Sequence, residues 1–326
     1  MSNILGRLET YLKTRISRAS FVKICLGGLA YIVAESAFIK FAFAGGPQSG
    51  PRPKKGIKGD FDLVLAEGKD PYNNTVKAVE AMGGMSRFVK PGNTVLVKPN
   101  MGWDRNPEQA GNTNPEVIAA LIDMCYKAGA KKVNLFDVPC NDEKRVHENS
   151  GIAAAAKARG ANVTLVNHWN VAAAHFPYES PMEGWPILRD AIDCDVLINV
   201  PILKHHVLTL LTISMKNLMG VCSGDRGKMH VDIGRKLVDL TDFMSPDLTV
   251  IDATRVLMRH GPSGGDLADV ERMDKIIVAT DPTLADAFAA TLVDRDPLSI
   301  PSIEAAAKRG FGSVDIAHSK INRINT

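Results

Sequence analysis

Aromatic residues are scarce in this chain, 6% of 326 residues, which leaves few platforms on which unpaired bases stack. An excess of charge of one sign is missing too. Lysine and arginine number 39 against 36 aspartates and glutamates, a formal net charge of +3. So small and dispersed an excess excludes a nucleic-acid footprint. None of the five cysteines forms a C-x-x-C pair. That excludes a zinc ribbon, a ferredoxin-type cluster motif and a thioredoxin motif within this chain. No glycine loop leads into G-K-[ST], no G-x-G-x-x-G follows a strand, and no H-E-x-x-H occurs. Nucleotide binding of the usual kinds and a zincin site therefore lack their signatures. What remains is a globular balance, 45% hydrophobic and 23% charged, which rules out wholesale disorder.

The first 44 residues differ from the rest. Lys13, Arg15, Arg18 and Lys23 form a basic region, and Ile24 to Ala34 carry no charge. Ala42-Phe43-Ala44 has the small-x-small form of a cleavage site. That order is the layout of an export signal. The stretch Ser17 to Lys23 resembles a twin-arginine signal with Ala19 in place of the second arginine. An uncleaved N-terminal anchor is the competing expectation, although Glu35 inside the apolar stretch is costly at a bilayer centre. The reading is therefore an export signal or anchor over 1–44, a Gly/Pro-rich linker over 45–59, and an α/β domain over 60–326. The expected location is the periplasm, or a membrane contact through the N-terminus facing it. Export would allow Cys125, Cys140, Cys194 and Cys222 to pair, but Cys125 and Cys194 lie in apolar surroundings and read as small hydrophobes. Cys222, in a polar glycine-rich loop, reads as the reactive candidate.

From residue 60 onward, short apolar runs alternate with helical spacing. Runs at 62–66, 94–97, 132–136, 163–166, 196–200, 248–251 and 275–279 predict strands. Several are apolar at nearly every position, as in strands buried on both faces. Asn114-Pro115-Glu116 and Asp281-Pro282 are helix starts, each a capping side chain followed by proline. An alanine-rich helix is predicted from Ile152 to Arg159. This alternation argues α/β, with a mostly parallel sheet flanked by helices in a Rossmann-like manner, in one lobe or two. Ligands of such sheets bind beyond the carboxyl ends of the strands. Those ends carry Lys98, Asn100, Asp137, Asn167, Asp252 and Asp281.

Residues 199–230 gather the chemistry. Lys204, His205 and His206 follow a strand, then Thr209, Thr212, Lys216 and Asn217, then Gly220, Gly224, Gly227 and His230. Lysine suits carboxylate or phosphate, histidine serves as acid, base or metal ligand, and exposed loop amides cradle anions. The segment reads as a holder for a small anionic ligand. The alternatives are a divalent metal on the histidines His205, His206 and His230 with Asp225 or Asp232, Asp281 being a further candidate ligand, and a basic loop that is merely structural. Adjacent histidines in an extended chain point to opposite sides, so one of His205 and His206 faces the site.

The order Val97-Lys98-Pro99-Asn100, Thr113-Asn114-Pro115-Glu116, Leu203-Lys204-His205-His206, Lys216-Asn217-Leu218-Met219-Gly220, His230, Ile251-Asp252-Ala253 and Asp281-Pro282 resembles domain-of-unknown-function family 362. The resemblance spans roughly residues 60–315. It makes His206 the family histidine and His205 the extra one. Some relatives carry an iron–sulfur domain, which implies a redox partner protein; no cluster motif is present in this chain. The resulting expectation has Lys98, Asn100, Lys204, Lys216, Asn217 and Gly220 binding an anionic substrate or cofactor. His206, His230 and Asp252 are the catalytic candidates, and Asp281 is a further metal candidate. The alternatives are a non-catalytic carrier of a cofactor or metal and an electron-transfer accessory.

Overall fold

The computed structural model describes residues 47–326. The strands are β1 (Gln48–Ser49), β2 (Leu63–Glu67), β3 (Thr94–Pro99), β4 (Lys132–Leu135), β5 (Asn162–Val163), β6 (Val171–Ala174), β7 (Pro186–Leu188), β8 (Val196–Val200), β9 (Ile202–His206), β10 (Leu210–Thr212), β11 (Leu248–Leu257), β12 (Val270–Ala279) and β13 (Ile321–Asn325). The helices are α1 (Pro71–Ala81), α2 (Pro115–Lys127), α3 (Glu143–Asn149), α4 (Ile152–Ala158), α5 (Arg189–Ile192), α6 (Ser214–Asn217), α7 (Ile233–Met244), α8 (Pro282–Thr291) and α9 (Pro301–Arg309).

The main sheet has the order β13-β2-β12-β11-β8-β3-β4-β5, with β9 pairing β11 and carrying β10. The pairs β11–β8, β8–β3, β3–β4 and β4–β5 are parallel. This is the expected α/β architecture. Alternate residues of one strand enter two different cores. Val64, Val95 and Val97 meet α1, α2 and α4 on one face, while Leu63, Leu65 and Leu96 join the core of α7, α8 and α9 on the other. A sheet covered on both faces has no polar alternation to display, which explains the near-continuous apolar runs. Helix α2 starts as expected: Asn114 caps the backbone N–H of Glu116, and Pro115 occupies the first turn.

One strand departs from the parallel pattern. β12 is antiparallel to both of its neighbours, and Ala279 at its end pairs with Thr249 near the start of β11. Its carboxyl end therefore lies at the amino edge of the parallel half. The run at 163–166 is also shorter than expected, with only Asn162–Val163 paired, to β4.

The stretch expected as a linker packs onto the domain where it is described. Gln48–Ser49 pairs with β6. Arg52 is 4% exposed and donates to the carbonyls of Ala191, Ile192 and Cys194 and to the Asp247 carboxylate. The two terminal nitrogens of this guanidinium make a tether that glycine and proline content does not reveal. The export signal or anchor read at 1–44 lies outside the described residues. No helix among the described residues is long and apolar enough to cross a membrane.

Candidate functional site

A cavity of about 410 Å³ opens at the carboxyl edge of the parallel strands. Asn100 after β3, Asp137 and Cys140 after β4, Lys204 and His206 on β9, and Lys216, Asn217, Gly220 and His230 all line it. The edge position agrees with the general rule for parallel sheets. The β9–β10 hairpin raises Lys204 and His206 from one side, with Thr212 opposite Lys204 in the register. On the other side α6 begins at Ser214, whose N–H and hydroxyl both donate to the Asp286 carboxylate. Asp286 also accepts the Met215 N–H. Burial nevertheless pushes its carboxyl up to about 7.

Beneath the cavity runs a chain of polar side chains. Lys98, 0% exposed, donates to the Pro99 carbonyl at 2.6 Å, to Asp137 Oδ1 at 2.7 Å and to Asn217 Oδ1 at 3.2 Å. Asn100 Nδ2 donates to the same Asn217 oxygen at 3.0 Å, and Asn217 Nδ2 donates to Asn199 at 2.9 Å. Asn100 Oδ1 in turn accepts from Lys204 Nζ at 3.1 Å, which also donates to the Gly111 carbonyl at 2.6 Å. The expectation that Lys98 holds the ligand is thus corrected. Its three N–H bonds are taken, and it serves to position Asn217 and Asp137. Burial lowers the Lys98 pKa, opposed by the adjacent Asp137. Gly220 packs directly on this ion pair, and a Cβ there would collide with the Asp137 carboxylate and the Lys98 ammonium.

Among the described residues neither Lys204 nor Lys216 forms a salt bridge with a carboxylate; the Lys216 ammonium reaches only the Met219 sulfur, at 3.4 Å. Desolvation pulls Lys204, 1% exposed, down to about 7 and Lys216 down to about 8. Arg226 also lines the cavity, its two terminal nitrogens anchored on the carbonyls of Val138 and Pro139. The hydroxyl of Thr212 is buried with no hydrogen-bond partner among the described residues. A wider cleft of about 720 Å³ beside α7 and α9 differs in this respect. There, Arg309 is already paired with Asp239 and Asp242.

The two neighbouring histidines diverge. His205 Nδ1 accepts the Gly261 N–H at 3.1 Å, whereas His206 lines the cavity, its ring 6.1 Å from that of His230. His206 Nδ1 accepts the N–H groups of Leu208 and Thr209. A lone pair is needed at Nδ1, so the proton of the neutral ring sits on Nε2. Burial and the nearby Lys216 push its pKa down to about 3. His206 is therefore a neutral hydrogen-bond donor at ordinary pH, not the proton shuttle expected of it.

Two expected site residues lie elsewhere. Asp252 is in the middle of β11, which continues to Leu257; it accepts the N–H groups of Asn114 and Thr254 and the Thr254 hydroxyl. Asp281 caps α8 through Thr283 and Leu284 and accepts the Ser313 N–H, at the opposite edge because β12 is antiparallel. The metal set of His206, His230 and Asp281 is not brought together. No group of three or more candidate metal ligands occurs among the described residues. Asn167 caps Trp169 and does not line the cavity. Cys222 is fully buried, its thiol pushed up to about 12 by desolvation, so it packs as a hydrophobe. The cysteine that reaches the cavity is Cys140, which is exposed. Its place just beyond the β4 run was the available signal, along with the basic Arg226 in the glycine loop.

The family described as "Domain of unknown function (DUF362)" matches residues 95–291. A thylakoid-associated protein of Synechocystis sp. is 31% identical over 246 residues, covering 72% of this chain and 73% of that protein. Among solved structures, the lactate racemase apoprotein from Thermoanaerobacterium thermosaccharolyticum aligns with a TM-score of 0.44 at 12% identity. The alignment covers 71% of this chain and 56% of that one.

Proposed function

This chain belongs to the DUF362 family, and on that premise we propose that it is an enzyme acting on a small anionic substrate held between Lys204 and Lys216. The observation that carries this reading is the pair of ammonium groups lining one cavity without a carboxylate partner among the described residues. Buried charge is costly unless paired, and a bound anion supplies the missing pair. The Nε2–H of His206 and the hydroxyl of Thr212 are further donors on the same wall. Proton transfer falls to Lys204. Burial lowers its pKa to about 7 in the free protein; a bound anion favours the ammonium, which then donates its proton as a general acid. Lys98, Asn217 and Asn100 hold that amine in place.

The competing reading, a carrier that retains an anion without changing it, needs the same cations but no titrating group. Export to the periplasm, or anchoring that faces it, belongs to this proposal; the basic, apolar and small-x-small order of residues 1–44 and the thylakoid-associated relative support it. N-terminal sequencing tests it, and a soluble cytosolic chain beginning at Met1 would count against export.

Calorimetric titration of the purified protein with phosphate, sulfate and acetate tests the cavity. Lys216→Ala is expected to weaken binding about 10- to 100-fold, as loss of a charge-assisted hydrogen bond implies. Equal affinity in the variant and the wild type would remove the reading. Native mass spectrometry identifies any anion retained on purification. Lys204→Arg keeps the charge but cannot deprotonate. Turnover of that anion should therefore be lost while binding persists; a carrier shows no turnover in either protein.

A further inference from the structure

We propose that the ligand is an amphipathic anion: an acid whose charged head meets Lys204 and Lys216 and whose apolar body lies along the cavity wall toward the β9–β10 turn. The inference rests on the anion reading above and adds the class of molecule. Three observations carry it. The first is size. A cavity of about 410 Å³ falls in the range of roughly 300–1,000 Å³ that takes whole organic molecules, far more than an inorganic anion fills. The second is the mixed lining. Lys204, Lys216 and Thr212 share the cavity with the apolar side chains of Trp103, Val138, Met219, Val207 and Leu208, and each ammonium touches one of them: Lys216 meets the Met219 sulfur at 3.4 Å and Lys204 lies over Trp103. The third is the state of the mouth. Val207 and Leu208 line the cavity yet remain 69% and 64% exposed. Large apolar side chains left open at the rim of a cavity mark a surface that a ligand covers.

The chemistry fits one molecule better than two. The Lys204 ammonium lies 5.8 Å from the centre of the Trp103 ring, so the charged and apolar parts of the lining meet at that contact. A head group bound at Lys204 is then carried directly into apolar surroundings. The turn holding Val207 and Leu208 is the same one whose N–H groups fix His206. Covering its tip would therefore be felt at the imidazole that faces the head group.

The test is a chain-length series of straight-chain carboxylates, acetate to octanoate, titrated calorimetrically against the full chain and against Val207→Ser/Leu208→Ser. Both substituted residues are exposed, so folding is expected to be retained, and circular dichroism verifies it. In the wild type each added methylene should tighten binding about fourfold until the wall is covered, the fold-change that burial of one CH₂ implies. In the double variant that gain should fall to less than half. Octanoate binding no tighter than acetate would overturn this inference while leaving the anion site standing. An undiminished gain in the double variant would likewise overturn it. Failure of every acid to bind would instead remove the anion reading beneath it. A parallel arm with alkyl phosphates distinguishes the head group that the two lysines prefer.

Discussion

Protonation and reactivity at single side chains can be read directly from their surroundings. Lys204 has a folded pKa of about 7 and Lys216 of about 8 because burial disfavours the charged form, whereas an unfolded lysine titrates near ~10.4. Between those values the unfolded chain binds more protons, so the contribution of these two amines to stability rises with pH from about 7 to about 10, opposed above pH ~8.5 by the raised thiols of Cys125, Cys194 and Cys222. Asp286 has the opposite sign. Its folded pKa of about 7 exceeds the unfolded ~3.9, so its contribution is present below pH ~4 and lost as pH rises to about 7. His206, lowered to about 3, has the opposite slope over that acid range and offsets Asp286, so the amines are read by difference: Lys204→Met should flatten the rise of the melting temperature between about pH 7 and about 8.5 relative to the wild type. An identical profile for the variant and the wild type between about pH 7 and about 8.5 would contradict the burial of this amine. A second residue-level prediction concerns thiols. In the folded protein Cys140 should alkylate while buried Cys125, Cys194 and Cys222 do not. Because Cys140 shares its cavity with Lys204, Lys216 and Arg226, anionic iodoacetate should gain on neutral iodoacetamide there relative to a free-thiol peptide. Peptide mapping reads both, and added salt should reduce the difference.

Short elements, not long ones, deliver the site. Helix α6 and the 3₁₀ turn Leu218–Val221 that follows it carry Lys216, Asn217 and Gly220. They are anchored at one end by Asp286 and at the other by the Val138 N–H, which donates to the Gly220 carbonyl at 3.0 Å. Gly220→Ala should cost about 1–3 kcal/mol, the usual penalty for overpacking, because the added methyl displaces the Lys98–Asp137 pair. Denaturant unfolding measures the loss. Anion affinity should fall with it, since Lys98 supports Asn217, Asn100 and so Lys204. The β9–β10 hairpin was invisible to periodicity. Ile202–His206 contains Lys204, His205 and His206, and a strand polar at three of five positions lacks the signature of a buried run. Its pairing with β11 supplies the apolar context that the local sequence withholds.

At the scale of the molecule, Arg52 ties the segment that precedes β2 to the rest of the domain. Its guanidinium joins the segment before β2 to α5 and, through Asp247, to the residue preceding β11. A chain starting at residue 60 should melt well below one starting at residue 45, and Arg52→Ala in the longer chain should account for much of the difference. Removal of one partner from a buried ion pair typically costs about 3–5 kcal/mol. Equal melting of the two chains would mean that the segment adds nothing to the fold. The same comparison locates the boundary that composition set at residue 59, where glycine and proline content suggested a free linker.

Helix starts at Asn114 and Asp281, the doubly buried strands and the chemistry of residues 199–230 were legible from the chain alone, because capping, apolar continuity and side-chain type are local properties. The divergence of His205 and His206 was legible for the same reason, since it follows from the geometry of an extended backbone. Tertiary structure decided the rest. The antiparallel run of β12 sends Asp281 to the far edge, and the length of β11 places Asp252 inside the sheet. Hydrogen bonding occupies Lys98, and burial separates Cys222 from Cys140. Strand direction, depth and partner choice depend on residues distant in sequence, so no local pattern encodes which lysine lines the cavity and which is spent in the floor beneath it.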